Sequence, residues 1–204
     1  SYYSKTMHQN LIFDLDLIRR YDTAGPRYTS YPTAVQFHEA FTAETYREHA
    51  LATNAEARPL SLYVHIPFCD TVCFYCACNK IATKDRSKAA PYLHGLAQEL
   101  ALQGALFDRS RPVTQLHWGG GTPTFISHQE MQQLMQLTGQ HFHLLDDDSG
   151  EYSIEIDPRE ASAETIHVLR ELGFNRLSLG VQDFEESVQN AVNRVQAATQ
   201  TLIV

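Results

Sequence analysis

"LSLYVHIPFCDTVCFYCAC" (residues 60–78) decides how this chain is read. Its first seven residues alternate: Leu60, Leu62, Val64 and Ile66 share one face, and Ser61, Tyr63 and His65 the other, which predicts a strand. Pro67 ends it. All four cysteines of the 204-residue chain follow within ten positions, spaced C-x3-C-x2-C with one more cysteine two residues on.

From this strand a rhythm runs toward the C-terminus. "AAPYLHGLAQELALQGAL" (89–106), "SHQEMQQLMQL" (127–137) and "SAETIHVLREL" (162–172) carry helical periodicity. Ser127 and Glu130 form a capping-box pattern, Ser162 reads as an N-cap, and Gly173 as a C-terminal stop. "TQLHW" (114–118), "YSIEI" (152–156) and "RLSLGV" (176–181) read as strands, and a last helix is expected from near Glu185 and to contain Arg194. Strand–helix alternation predicts right-handed βαβ units and a parallel sheet.

Every strand has one apolar and one polar face. Trp118, Ile154 and Leu177 oppose His117, Glu155 and Ser178. Strands buried on both sides read as continuous apolar runs, and a filled barrel packs branched apolar side chains inside. Four polar faces instead predict a wet interior. The expected fold is an α/β partial parallel (β/α) barrel stopping after about four units, over residues 60–204. An N-terminal arm covers 1–59, with a short helix in 11–22, none across Pro26 and Pro32, and another helix over 41–50. "NRVQAATQTLIV" at the end reads as mid-helix, so the chain is expected to be a fragment.

Composition narrows the function. Hydrophobic residues make up 43%, charged residues 20%, and the net charge is −8. That disfavours a general nucleic-acid role, which calls for a basic face. No apolar run reaches the roughly 20 residues of a membrane span, and the first residues lack a secretory signal. A cytoplasmic location is therefore expected. Disulfides are rare there, so clustered cysteines point to metal or catalysis.

The cysteines lie beyond the carboxyl end of a strand, where ligand sites of parallel sheets form. A structural zinc site prefers two separated pairs, and no second pair exists. A 4Fe–4S cluster takes thiolates, normally four. Held by three, it keeps one iron open, provided Cys78 is not the fourth ligand. "GGGTPT" (119–124) follows the second strand and lets backbone approach a ligand, or is a plain turn. Glu155 and Gln182 sit on the polar faces; a buried carboxylate needs a partner. On its own, Arg194 reads as a solvated surface residue, and His65 and His117 as hydrogen-bonding residues.

The motifs "GPRYTSYPTA", "LSLYVHIPFC", "CACNKI", "QLHWGGGTPT", "SIEIDPRE" and "GFNRLSLGVQDF" occur in order from about Leu17 to Arg194. In them the chain resembles the radical S-adenosylmethionine (SAM) enzymes and, within these, the N-terminal part of the oxygen-independent coproporphyrinogen III oxidases. The resemblance implies Cys69, Cys73 and Cys76 as cluster ligands, with Cys78 an additional, non-ligating cysteine. It implies Tyr63, Gly120 and Glu155 around the SAM on the open iron, and Tyr75, Gly121, Thr122, Gln182 and Arg194 around a second SAM. Arg27 and Tyr63 become candidates near substrate. Tyr75 stands where Phe is common, and Ala77 where Gly is common.

The reaction so implied converts propionates of coproporphyrinogen III to vinyl groups of protoporphyrinogen IX by oxidative decarboxylation, through a 5′-deoxyadenosyl radical, in haem biosynthesis. An electron donor such as flavodoxin or ferredoxin, a monomeric state and an inactive isolated fragment go with it. Two alternatives stand beside this reading: a haem-chaperone paralogue with the same cluster, and a structural zinc module.

Overall fold

The computed structural model describes residues 14–23 and 33–203. Arg27 and the whole Pro26–Pro32 segment lie outside the described residues. The chain forms two compact units, residues 1–42 and 43–204. In the first, helix α1 (Leu15–Tyr21) starts at Asp14, whose carboxylate accepts the Leu17 N–H at 2.9 Å. It buries no residue of its own.

The second unit opens with α2 (Ala43–Ala52) and is built on a parallel sheet. Its strands are β1 (Leu60–Ile66), β4 (Pro112–Gly120), β6 (Glu151–Ile156) and β7 (Arg176–Leu179), paired in that order. A two-residue strand, β5 (His143–Leu144), adds to β4, while β2 (Phe68–Cys69) pairs separately with β3 (Ile81–Ala82). Helices α3 (Ala89–Gly104), α4 (His128–His141) and α5 (Ala163–Glu171) make the crossovers; α6 (Glu186–Ala191) and α7 (Ala198–Ile203) follow β7. The sheet does not close, in keeping with the expected partial barrel.

The alternation read from the sequence becomes burial. Val64, Trp118, Ile154 and Leu177 stand side by side across the four strands. Trp118 and Ile154 are 0% exposed, and Trp118 meets the edge of Phe174 at 5.0 Å. Leu100, Met131, Leu134 and Leu169 cover this row from α3, α4 and α5. A fully buried large aromatic of this kind contributes about 3–5 kcal/mol relative to Ala. Turned the other way, Tyr63, His117, Ser153 and Arg176 form the matching polar row.

Local signals set the ends of the helices. Ser127 and Glu130 make the full capping box at α4. Ser162 accepts the Thr165 N–H at α5. At the end of α5, Gly173 takes φ +93°, with its N–H on Arg170 and the Phe174 N–H on Leu169, a Schellman motif.

Two expectations are corrected. β4 runs on through Gly119 and Gly120, so the glycine run is partly strand rather than all loop. Arg194 is not in a helix. α6 stops because Asn193 adopts φ +54°, the Arg194 N–H returns to Gln189, and the Asn193 N–H returns to Asn190. Helical periodicity continues across this turn in the sequence, but Asn is among the residues that tolerate a left-handed cap.

Candidate cluster and cofactor site

The carboxyl ends of β1, β4 and β6 meet at one edge, and the cysteine loop folds over it. Two parallel bridges hold the loop there. The Ile81 N–H bonds to Pro67 at 2.7 Å and the Thr83 N–H to Cys69 at 2.8 Å. The glycines reach in from below: the Gly121 N–H bonds to Ile66 and the Thr122 N–H to Phe68, at 2.8 and 2.7 Å. This close approach requires glycine. A Cβ on Gly121 would lie 2.6 Å from the Phe68 carbonyl and 2.8 Å from Cys69 Sγ. Gly120 has φ +120°, and a Cβ there would lie 2.8 Å from the His65 ring.

These elements enclose a cleft of about 220 Å³. Cys69, Cys73 and Cys76 line it together, each half-buried with a free thiol, and Cys78 joins them more exposed. Gly120, Gly121, Thr122 and Glu155 form another part of the wall, and Tyr75, Gln182 and Arg194 add to it. A neighbouring hollow of about 210 Å³ shares Gly121, Thr122, Glu155 and Arg194. Tyr63 stands on the same strand face, its hydroxyl 3.1 Å from His65 Nδ1 and its ring stacked on His117. The sequence-named residues that the structure describes are thus brought to one edge.

The environments of the thiols differ. Burial pushes the Cys69 thiol up, opposed by a hydrogen bond from Thr122. Burial acts the same way on Cys76, but hydrogen bonds from Cys78 and the Lys80 ammonium outweigh it and bring that thiol below its usual range. Cys73 Sγ faces Arg194 Nη1 at 3.8 Å. Three free thiols facing one cleft, with cations beside them and a glycine wall a Cβ would fill, fit a cluster bound through thiolates. Among the described residues no three His, Cys, Asp or Glu groups converge as for a single metal ion.

Glu155 is held open to the cleft. The Gly120 N–H donates to Oε2 at 3.1 Å, and His117 Nε2 stands 3.6 Å from Oε1. His117 in turn lies 2.6 Å from the Ser153 hydroxyl.

Sequence reasoning missed the charged floor. Asp157, Arg159, Glu160, Asp70 and Lys80 also line the cleft. Asp157, 7% exposed, pairs with Arg159 Nη2 at 2.6 Å and Arg194 Nη1 at 3.5 Å. Burial opposes ionisation of Asp157, but the Arg159 hydrogen bonds and the two guanidinium charges hold it below the usual carboxylate range. Burial and the nearby Asp70 and Asp157 push Glu160 up. The signal was the "DPR" run, where an Asp and an Arg two residues apart can pair across a turn.

With this geometry in hand, comparison places the chain. A family model, the radical SAM superfamily, matches residues 63–202. The chain belongs to that superfamily, whose members carry a 4Fe–4S cluster and SAM. An oxygen-independent coproporphyrinogen III oxidase from Pseudomonas aeruginosa is 57% identical over 196 residues, 96% of this chain and 42% of the relative. One of the same name from Mannheimia haemolytica is 47% identical over 72% of this chain and 98% of the relative. The solved structure of coproporphyrinogen III oxidase from Escherichia coli, described as a radical SAM enzyme, superposes with a TM-score of 0.81 at 46% identity, covering 95% of this chain and 42% of that one. Within the superfamily, this chain belongs to the oxygen-independent coproporphyrinogen III oxidase family. It spans 42% of the length of the Pseudomonas relative.

Proposed function

We propose that this chain forms the cluster- and SAM-binding part of an enzyme that oxidatively decarboxylates the propionates of coproporphyrinogen III to vinyl groups, without oxygen, in haem biosynthesis. The observation that carries the reading is the convergence of Cys69, Cys73 and Cys76 on one cleft with Gly120, Glu155 and Arg194. In this reading the three thiolates hold the cluster, and Cys78 stays outside it. A cluster and SAM, when bound, supply the one-electron cleavage and hydrogen abstraction; the chain's residues bind, orient and exclude water.

Glu155 takes the SAM ammonium, helped by its Gly120 and His117 contacts, and Tyr63 borders the same ligand. Arg194, set between Asp157 and Cys73, faces the second SAM. Tyr75, Gly121, Thr122 and Gln182 border a second SAM. The two adjoining hollows that share Arg194 support two ligands rather than one. Arg27, which lies outside the described residues, is a candidate for substrate contact through the resemblance alone. A soluble one-electron donor, a cytoplasmic setting and a monomeric state belong to the same proposal; among the described residues no helix is long and apolar enough to cross a membrane.

Anaerobic reconstitution with iron and sulfide, followed by reductant and SAM, tests the site. The expected result is a brown protein near four irons per chain that cleaves SAM, by the stoichiometry of such clusters. A colourless protein holding zinc would overturn the reading. With a full-length protein and coproporphyrinogen III, vinyl product separates the oxidase from a haem-handling relative. The isolated chain should turn over little.

A further inference from the structure

Residues 192–194 touch the cysteine loop three times in succession. The Phe74 N–H donates to the Val192 carbonyl at 3.0 Å. Asn193 Nδ2 donates to the Val72 carbonyl at 2.7 Å. Arg194 Nη1 reaches Cys73 Sγ at 3.8 Å. Both peptide flanks of the middle cysteine, and its sulfur, are therefore held by one turn 121 residues away.

That turn has its own support. Asn193 sits at φ +54°, with the Arg194 N–H on Gln189 at 2.9 Å closing α6. Gln189 is 5% exposed, and its amide bonds to the Asp183 and Gln196 carbonyls at 2.7 and 2.8 Å, fixing the segment on both sides. Arg194 Nη2 is tied to the Gly180 carbonyl at 2.9 Å. The loop's own backbone bond at Cys73 is the Cys76 N–H on its carbonyl at 3.0 Å, and the Lys80 ammonium ties the Cys76 carbonyl at 2.9 Å, so Val72 and Phe74 are held from the turn.

We infer that Asn193 is a positioning residue, a latch that fixes Cys73 for cluster binding before the cluster arrives. A ligand thiolate held in advance loses less conformational freedom on binding. The same turn presents Arg194 to the cleft. This inference rests on the proposed cluster site.

Two variants separate the side chain from the backbone. Asn193→Gly keeps the left-handed turn and removes only the bond to Val72. Asn193→Asp keeps the shape but sets a carboxylate against the Val72 carbonyl. In the unloaded chain, amide hydrogen exchange should speed at Phe74 by about three- to five-fold, the scale of one hydrogen bond, while strand β4 and the melting temperature hold. In the reconstituted chain, iron loss to a chelator should quicken by a similar factor in N193G and by more in N193D. N193G that matches the wild type in both measurements overturns the latch. Faster Phe74 exchange with unchanged iron retention overturns its role toward the cluster. A wild-type chain that takes up no iron overturns the proposed site instead, and with it the purpose of the latch.

Discussion

The guanidinium of Arg194 lies 3.8 Å from the thiol of Cys73 and 3.5 Å from the carboxylate of Asp157, joining the cysteine loop to the end of β6. The three groups come from segments that no local pattern connects. Their meeting makes the loop, the third long strand and the α6–α7 turn one charged site, and several expectations follow from it.

The cysteines should divide three to one. Cys69→Ala, Cys73→Ala or Cys76→Ala should abolish the visible absorption of the reconstituted protein and most of its iron. Cys78→Ala should keep both, since Cys78 is the exposed member of the four. Iron retained by C76A but lost by C78A would reverse the assignment.

Asp157 should anchor the acid-side stability. Its carboxyl is depressed in the folded state, so its stabilisation is present above the unfolded value, near pH 4, and is lost as pH falls through the folded value. Asp157→Asn leaves Arg159 and Arg194 without their counter-charge, at a cost of about 3 kcal/mol. Urea melts at several pH values check this: the wild type should lose stability below about pH 4, and D157N should start lower and show a shallower slope.

Two glycines should respond in opposite directions to alanine. Gly120→Ala meets both φ +120° and a 2.8 Å approach to the His65 ring, so a loss of at least about 1–3 kcal/mol is expected. Gly95 sits exposed in α3 with nothing within 4 Å of an added Cβ, so Gly95→Ala should gain about 0.5–1 kcal/mol. Thermal melts of the pair read both signs.

Glu155→Gln should weaken SAM binding by about ten-fold, the scale of a charged hydrogen bond, with little change in melting temperature because the side chain is 45% exposed. Calorimetric titration of the reconstituted chain with SAM measures it. Unaltered affinity would remove Glu155 from the site.

Much was legible in the chain itself. Period-two alternation from Leu60 to Ile66, and again through Trp118 and Ile154, dictated strands with one dry and one wet face, because side chains on a strand leave it alternately. Caps at Ser127, Ser162 and Gly173 are short-range hydrogen-bond chemistry, so they too were visible locally. The cysteine spacing and the glycine run pointed to the same edge of the sheet.

Arg194 shows the limit. Its neighbours read as helix, and its own prior was a solvated cation. The fold instead stopped α6 at Asn193 and turned the guanidinium inward, to a side chain 12% exposed. Asp157, just past the end of β6, is likewise the anion that two arginines share, one of them 37 residues away. Sequence determined the period of the elements, their caps and the reactive thiols, which depend on residues within a turn or two. Tertiary structure alone decided which distant groups face each other, because contact across 121 residues depends on how the sheet brings the elements' ends together.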